Sequence, residues 1–123
     1  DDVNTDPLKP IIPQPKAKRA LTVADRTPPQ GVRNACKTGI KLHEDGLSGS
    51  GLEGATVREA NAMIRGQPIT VAKAKKMIRW WGRNARFLDE PKDSPAWVAA
   101  LLWGGRAGLS WSRKLSRALE AEE

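Results

Sequence analysis

From Pro29 onward apolar residues recur at helical spacing, and the runs are separated by clear breaks. Val32, Cys36 and Ile40 stand at i, i+4 and i+8, which predicts a helix beginning near Pro29 and running to about His43. The Gly- and Ser-rich stretch from Gly46 to Gly54 reads as a loop. Thr56-Val57-Arg58-Glu59 has the form of a capping box, opening a short helix that buries Val57, Ala60, Met63 and Ile64. Gly66-Gln67-Pro68 stops that helix, and Thr70 caps a longer one predicted over 70–88. Its apolar sector holds Val71, Ala74, Met77, Ile78, Trp81, Ala85 and Leu88. After the break at Asp89 to Asp93, Ser94 and Pro95 supply a cap and a first-turn proline. The helix they open, through Trp97, Val98, Leu101, Leu102 and Trp103, is apolar nearly all round and is expected at the centre of the core. Gly104-Gly105 ends or kinks it. A last helix follows, with Trp111, Leu115, Ala118 and Leu119 on one face and Arg113, Lys114 and Arg117 on another.

No segment alternates convincingly as a strand, so the fold class is all-α: a compact bundle of about five short helices. Residues 1–29 differ in kind. Pro7, Pro10, Pro13, Pro15, Pro28 and Pro29 break any helix, apolar side chains are sparse, and Lys16, Lys18, Arg19 and Arg26 add charge. This predicts an extended proline-rich arm over 1–29, 25 residues of which reach roughly 75 Å if fully polyproline II, ahead of a small helical domain over 30–123. The apolar residues in "LKPIIPQP" favour an arm laid along a neighbouring subunit over a free tail.

Composition narrows the core and the partners. Trp supplies five of the six aromatics, with Phe87 the other, so Trp81, Trp97, Trp103 and Trp111 are the expected core indoles. The formal net charge of +7 over 123 residues favours nucleic acid, acidic protein or anionic lipid as a partner. Cys36 is the single cysteine, which rules out an intrachain disulfide and a cysteine-based metal site. It also fits an intracellular site or a virion assembled inside a cell. No apolar run approaches the roughly 20 residues that span a bilayer, and a membrane-surface role is a minor reading. The chain opens Asp1-Asp2 without a signal-type apolar segment, consistent with a processed or a truncated start.

Much of the positive charge is gathered on the helix over 70–88. Lys75, Lys76, Arg79, Arg83 and Arg86 fall in a band about 100° wide at 100° per residue, with Lys73 on the same helix and Trp80 and Phe87 bordering the band. Lys and Arg one turn apart can match regularly spaced phosphates, and aromatics beside them can stack on bases or anchor a protein partner. The candidate binding residues are Lys73, Lys75, Lys76, Arg79, Trp80, Arg83 and Arg86, with Arg113, Lys114 and Arg117 on the last helix. Contact with nucleic acid is preferred over docking on an acidic protein and over a solvated face with Trp80 folded across the Lys76 and Arg83 stems. The helix–turn–helix likeness of residues 56–88 is imperfect, because Lys75 stands where an apolar packing residue belongs and Pro68 alters the turn. Thr70 and Lys73 are the only base-reading types in the first turn, so binding is expected to be non-specific.

Catalytic signatures are lacking. Gly49 to Gly54 matches G-x-G-x-x-G, but no strand precedes it, and a flexible loop is the better reading. A weaker idea is that its amides and the following helix N-terminus hold one phosphate. His43, the single histidine, sits beside Glu44 and Asp45 at a helix end and is expected to be exposed. Cys36 lies on an apolar face as a small buried hydrophobe. The acidic pairs Asp89-Glu90 and Glu122-Glu123 fall in a loop and a tail, with no base or pocket implied. The expectation is a protein that is not an enzyme, with no catalytic residues, metal or cofactor.

The segments "GVRNACKTGIKLHEDGLSGSG", "VREANAMIRGQPITVAKAKKMIRWWGRNARFLDE" and "SPAWVAALLWGGRAGLSWSRK" resemble a small, mostly uncharacterised helical domain of tailed-bacteriophage and prophage proteins. That domain often lies near head genes or is attached to head proteins such as prohead proteases. The resemblance covers about Pro29 to Lys114 and is most specific at the Arg65-Gly66 turn with its following basic helix, and at Leu101 to Gly105. Members of that domain usually carry a histidine and an acidic residue after the aromatic pair, where this chain has Gly82-Arg83-Asn84 and is more basic. The resemblance implies a phage setting and supplies no catalytic residues. The resulting expectation is a non-catalytic minor virion or head-associated component, binding nucleic acid or an acidic virion surface through the basic helix. The alternative is a free phage DNA-binding or host-interaction protein acting in the host-cell cytoplasm during infection.

Overall fold

The computed structural model describes residues 21–52 and 54–121, and the proline-rich stretch at 1–20 and the Glu122-Glu123 pair lie outside them. The described residues form five α-helices and no strand: α1 (Gln30–Glu44), α2 (Gly54–Ile64), α3 (Val71–Asn84), α4 (Pro95–Leu102) and α5 (Gly105–Ala121). A 3-10 turn at Ala85–Asp89 separates α3 from α4.

Local chemistry sets most of the ends. Thr70 Oγ1 accepts from the Lys73 amide at 3.0 Å to start α3, and Ser94 Oγ accepts from the Trp97 amide at 3.2 Å ahead of Pro95 to start α4. Each cap satisfies an amide that has no partner inside its helix. α2 ends in a left-handed Gly66 with φ +79°, where the Gln67 amide returns to the Ala62 carbonyl at 3.1 Å. Arg33 of α1 closes the same end by donating from Nε to the Ile64 carbonyl at 3.0 Å.

One expected cap is unused. α2 begins at Gly54, so Thr56 lies inside the first turn and is buried, and Glu59 turns to Lys73 instead of back to the helix start. The capping-box pattern is present, but the helix starts three residues before Val57, the first helical position that a Thr56 cap implies.

α1 is the hub. It packs on α2, α4 and α5, while α3 lies on α5 and α4 covers the 3-10 turn. Val32, Cys36, Met63, Met77, Trp81, Val98, Leu102 and Leu115 are the large side chains removed almost completely from solvent. Gly39 of α1 faces α4 so closely that an added Cβ would lie 2.9 Å from Leu102. Trp81, Trp103 and Trp111 are core indoles as expected. Trp97 is only partly buried, with Lys92 Nζ 5.8 Å from its ring, because α4 turns its Val98 and Leu102 side inward. Trp80 is likewise partly buried and stacks on Trp103 at 4.9 Å and 11°.

Leu21 to Pro29, grouped with the arm by composition, is a turn fastened to the bundle. Leu21 and Pro28 are buried. Thr22 and Asp25 exchange side chain-to-amide hydrogen bonds at 2.9 and 3.0 Å. The Ile69 amide donates to the Arg26 carbonyl at 2.8 Å, and Trp111 Nε1 donates to the Asp25 carbonyl at 3.1 Å. Proline and charge excluded a helix here without excluding tertiary hydrogen bonds.

Candidate functional site

α3 carries the candidate site and sorts its side chains by azimuth. Ala74, Met77 and Trp81 enter the core, while Lys75, Arg79 and Arg83 are exposed and Lys76 is half-exposed. Among the described residues, Lys75, Arg79 and Arg83 form no ion pair. Three adjacent cations with no counter-charge leave a positive field open to a partner.

Lys73 departs from the stripe. It lies four residues before Met77, on the inward side of the helix, and only 6% of its side chain is exposed. Its ammonium donates to Glu59 Oε1 at 2.7 Å and sits 3.8 Å from the Trp103 ring centroid. Burial pulls the Lys73 ammonium below its usual pKa, against the hydrogen bond and charge of Glu59. Burial by itself would raise the Glu59 carboxyl, but the hydrogen bond and charge of Lys73, with help from Lys76, hold it below the ordinary carboxylate value. Lys73 is thus committed inside the molecule and does not belong to a contact surface. Lys76 is partly committed as well, 3.6 Å from the same carboxylate.

The helix over 70–88 is shorter than expected and breaks after Asn84. Asn84 Nδ2 donates to the Trp80 carbonyl at 3.0 Å, and the Arg86 guanidinium donates to the Arg83 carbonyl. The Arg86 guanidinium thereby engages the carbonyl that continuing α-helix would have offered to the Phe87 amide, and the chain tightens into the 3-10 turn. Arg86 leaves the straight row and lies 5.2 Å from the Phe87 ring. The turn brings Phe87 back to Trp80, with ring centroids 5.8 Å apart and an interplanar angle of 82°. Both aromatics, which residue spacing predicts at the border of the stripe, are half-buried.

This arrangement makes a recess that the sequence did not suggest. A cavity of about 420 Å³ lies beside the stripe, with Lys76, Arg79 and Arg83 on one rim and Trp80, Phe87 and Trp103 as aromatic wall. Gly51, Leu52, Thr56 and Ala99 close it from the loop, α2 and α4. Its volume falls within the roughly 300–1,000 Å³ typical of ligand pockets. Phe87, Gly51, Leu52 and Ala99 also line a second, more apolar recess of about 510 Å³, so the two recesses share these residues. The Gly-rich loop contributes a wall rather than a phosphate-binding strand-to-helix turn.

The other predicted cations are not brought into this recess. Arg113, Lys114 and Arg117 are exposed on α5, and Arg113 instead lines a shallow groove between α3 and α5 with Ile78, Gly82 and Leu109. α2 and α3 do not pack as a helix–turn–helix pair. α2 lies on α1, α3 lies on α5, and the two helices are tied by the Glu59–Lys73 bridge.

The remaining candidate chemistry is structural in position. His43 is half-buried rather than exposed, and its Nδ1 is 2.6 Å from Ser48 Oγ, which pins the turn after α1. Cys36 is fully buried with Sγ 3.7 Å from the Leu102 carbonyl, and burial pushes its thiol up to about 12. Among the described residues no group of three or more His, Cys, Asp or Glu side chains converges as a metal site, and no helix is long and apolar enough to cross a membrane.

The chain matches no protein-family model, and neither curated proteins nor solved structures give a significant match.

Proposed function

We propose that this chain is a non-catalytic nucleic-acid-binding module of a tailed phage, associated with the head or virion. The observation that carries the binding reading is the unneutralised row of Lys75, Arg79 and Arg83 on a helix that already has its own core face. A surface held only for solubility would gain from interspersed carboxylates, yet the one carboxylate bridged to α3, Glu59, is engaged by Lys73 and Lys76. The absence of converging base-reading side chains on the first turn of α3 favours sequence-tolerant binding through phosphates. The phage setting rests on the sequence resemblance.

Salt dependence tests the binding. If Lys75, Arg79 and Arg83 each engage a phosphate, log K against log salt slopes by about −2.7 on duplex DNA and about −2.1 on single strands. A flat slope would falsify phosphate contact. Charge reversal at Arg79 and Arg83 should abolish most binding without lowering the melting temperature, since neither side chain is buried. For the setting, a virion component co-purifies with particles at fixed stoichiometry, whereas a protein acting free during infection does not.

A further inference from the structure

Resting on that nucleic-acid reading, we infer that the recess between α3 and the Gly51–Leu52 loop takes an unpaired base of a single strand, with the flanking phosphates on Lys76, Arg79 and Arg83. The recess and the cations form one site. Three positive side chains stand on its rim, and aromatic rings form the wall behind them. Lys76 to Arg83 covers about 10.5 Å of helix at 1.5 Å per residue, a span suited to two or three successive phosphates. A ligand that carries charge along one edge and a flat π-face behind it in every unit is a nucleotide strand. An acidic peptide supplies the charge without the π-face.

The shape of the site separates single strands from duplexes. In a duplex the bases are stacked and paired behind the backbone, so a phosphate-contacting surface needs no cavity. Here the 3-10 turn that follows the cationic helix carries Phe87 into the lining of a concave space beside the charges, which Leu52 also lines. An unstacked base can enter that space, and stacking on aromatic walls tolerates any base. Phe87 lines both the cationic and the apolar recess and is the ring placed to receive it. Trp80, held against Trp103 and edge-on to Phe87, supports the wall.

Binding of the full chain to four fluorescent probes tests this: a thymidine strand of about 12 nucleotides, an abasic strand with the same phosphates, a duplex of equal length, and poly-glutamate. The thymidine strand should bind at least about fivefold more tightly than the abasic one. Leu52→Trp, which fills the recess from a loop, and Phe87→Leu should each erase that preference, while Arg79→Glu weakens both strands alike. Melting curves report folding, and if Phe87→Leu unfolds, Leu52→Trp carries the test. Equal affinity for thymidine and abasic strands, or a preference unchanged in Leu52→Trp, overturns base docking and leaves phosphate binding standing. No binding to any nucleic acid at low salt overturns both readings. Preference for poly-glutamate over every strand also overturns both and points to an acidic protein.

Discussion

The Lys73 ammonium lies 3.8 Å from the centre of the Trp103 ring while donating to Glu59 at 2.7 Å. A cation from the basic helix is therefore part of the core, and it joins α2, α3 and the end of α4 at one point. The ring face and the carboxylate together compensate a charge that burial disfavours. Trp103 also receives Trp80 as a stacking partner, so the same residue anchors the wall of the recess.

The two ends of this bridge are unequal, which gives opposite expectations for their removal. Glu59→Gln leaves a buried ammonium without its carboxylate and should cost about 1–3 kcal/mol in chemical denaturation. Lys73→Met removes the buried charge and leaves Glu59, whose side chain is 35% exposed and still beside Lys76, able to hydrate. Its cost should stay within about 1 kcal/mol. The Glu59 carboxyl is held below its ordinary value of 4.5 in the folded chain. Its stabilisation is thus complete above the unfolded pKa and is lost as pH falls through the folded one. Stability measured from pH 6 down to pH 3 should fall more shallowly in Glu59→Gln than in the parent.

Two glycines should respond with opposite signs to the same added methyl group. At Gly108 a Cβ would stand 2.2 Å from the Trp103 carbonyl oxygen, the acceptor of the Trp81 indole N–H at 3.1 Å. Gly108→Ala must displace buried backbone and should cost about 3 kcal/mol. Gly82 is an exposed residue of α3 whose Cβ would meet nothing within 4 Å. Gly82→Ala should add about 1 kcal/mol by raising helix propensity. Paired thermal melts decide both.

The Cys36 thiol should be inert while the protein is folded. It is fully buried, and its pKa is pushed up to about 12, so little thiolate exists at neutral pH to react. Alkylation at pH 8 should be slow in buffer and rise steeply across the denaturant transition. Rapid labelling of native protein would contradict this placement of α1.

Helix caps offer a check on local against tertiary control. Thr70→Ala and Ser94→Ala each remove a hydroxyl that accepts a first-turn amide, and each should cost about 1 kcal/mol. Thr56→Val, at a position with a capping-box pattern that the fold does not use as a cap, should cost less than either. Urea midpoints of the three variants would rank them.

The starts at Thr70 and Ser94, the stop at Gly66 and the all-helical class were legible in the sequence. Each depends on groups within about four residues of one another, the range over which backbone hydrogen bonds and side-chain caps act. The exposed cations Lys75, Arg79 and Arg83 were legible for the same reason, since azimuth within one unbroken helix follows from residue spacing. Spacing also places Lys73 inward, but the charge of a lysine argues for solvent, and its burial depends on Glu59, 14 residues away.

What the tertiary structure alone decided lies across the breaks. The 3-10 turn after Asn84 changes the direction of the chain, so residue spacing no longer predicts where Arg86 and Phe87 point. The partial exposure of Trp97 depends on which side of α4 meets α1, and the stacking of Trp80 on Trp103 on where α3 lies, which no local rule settles. The recess depends on a loop, two helices and the 3-10 turn meeting in space. The positive helix face follows from short-range periodicity, whereas the cavity beside it exists only where distant segments pack imperfectly together.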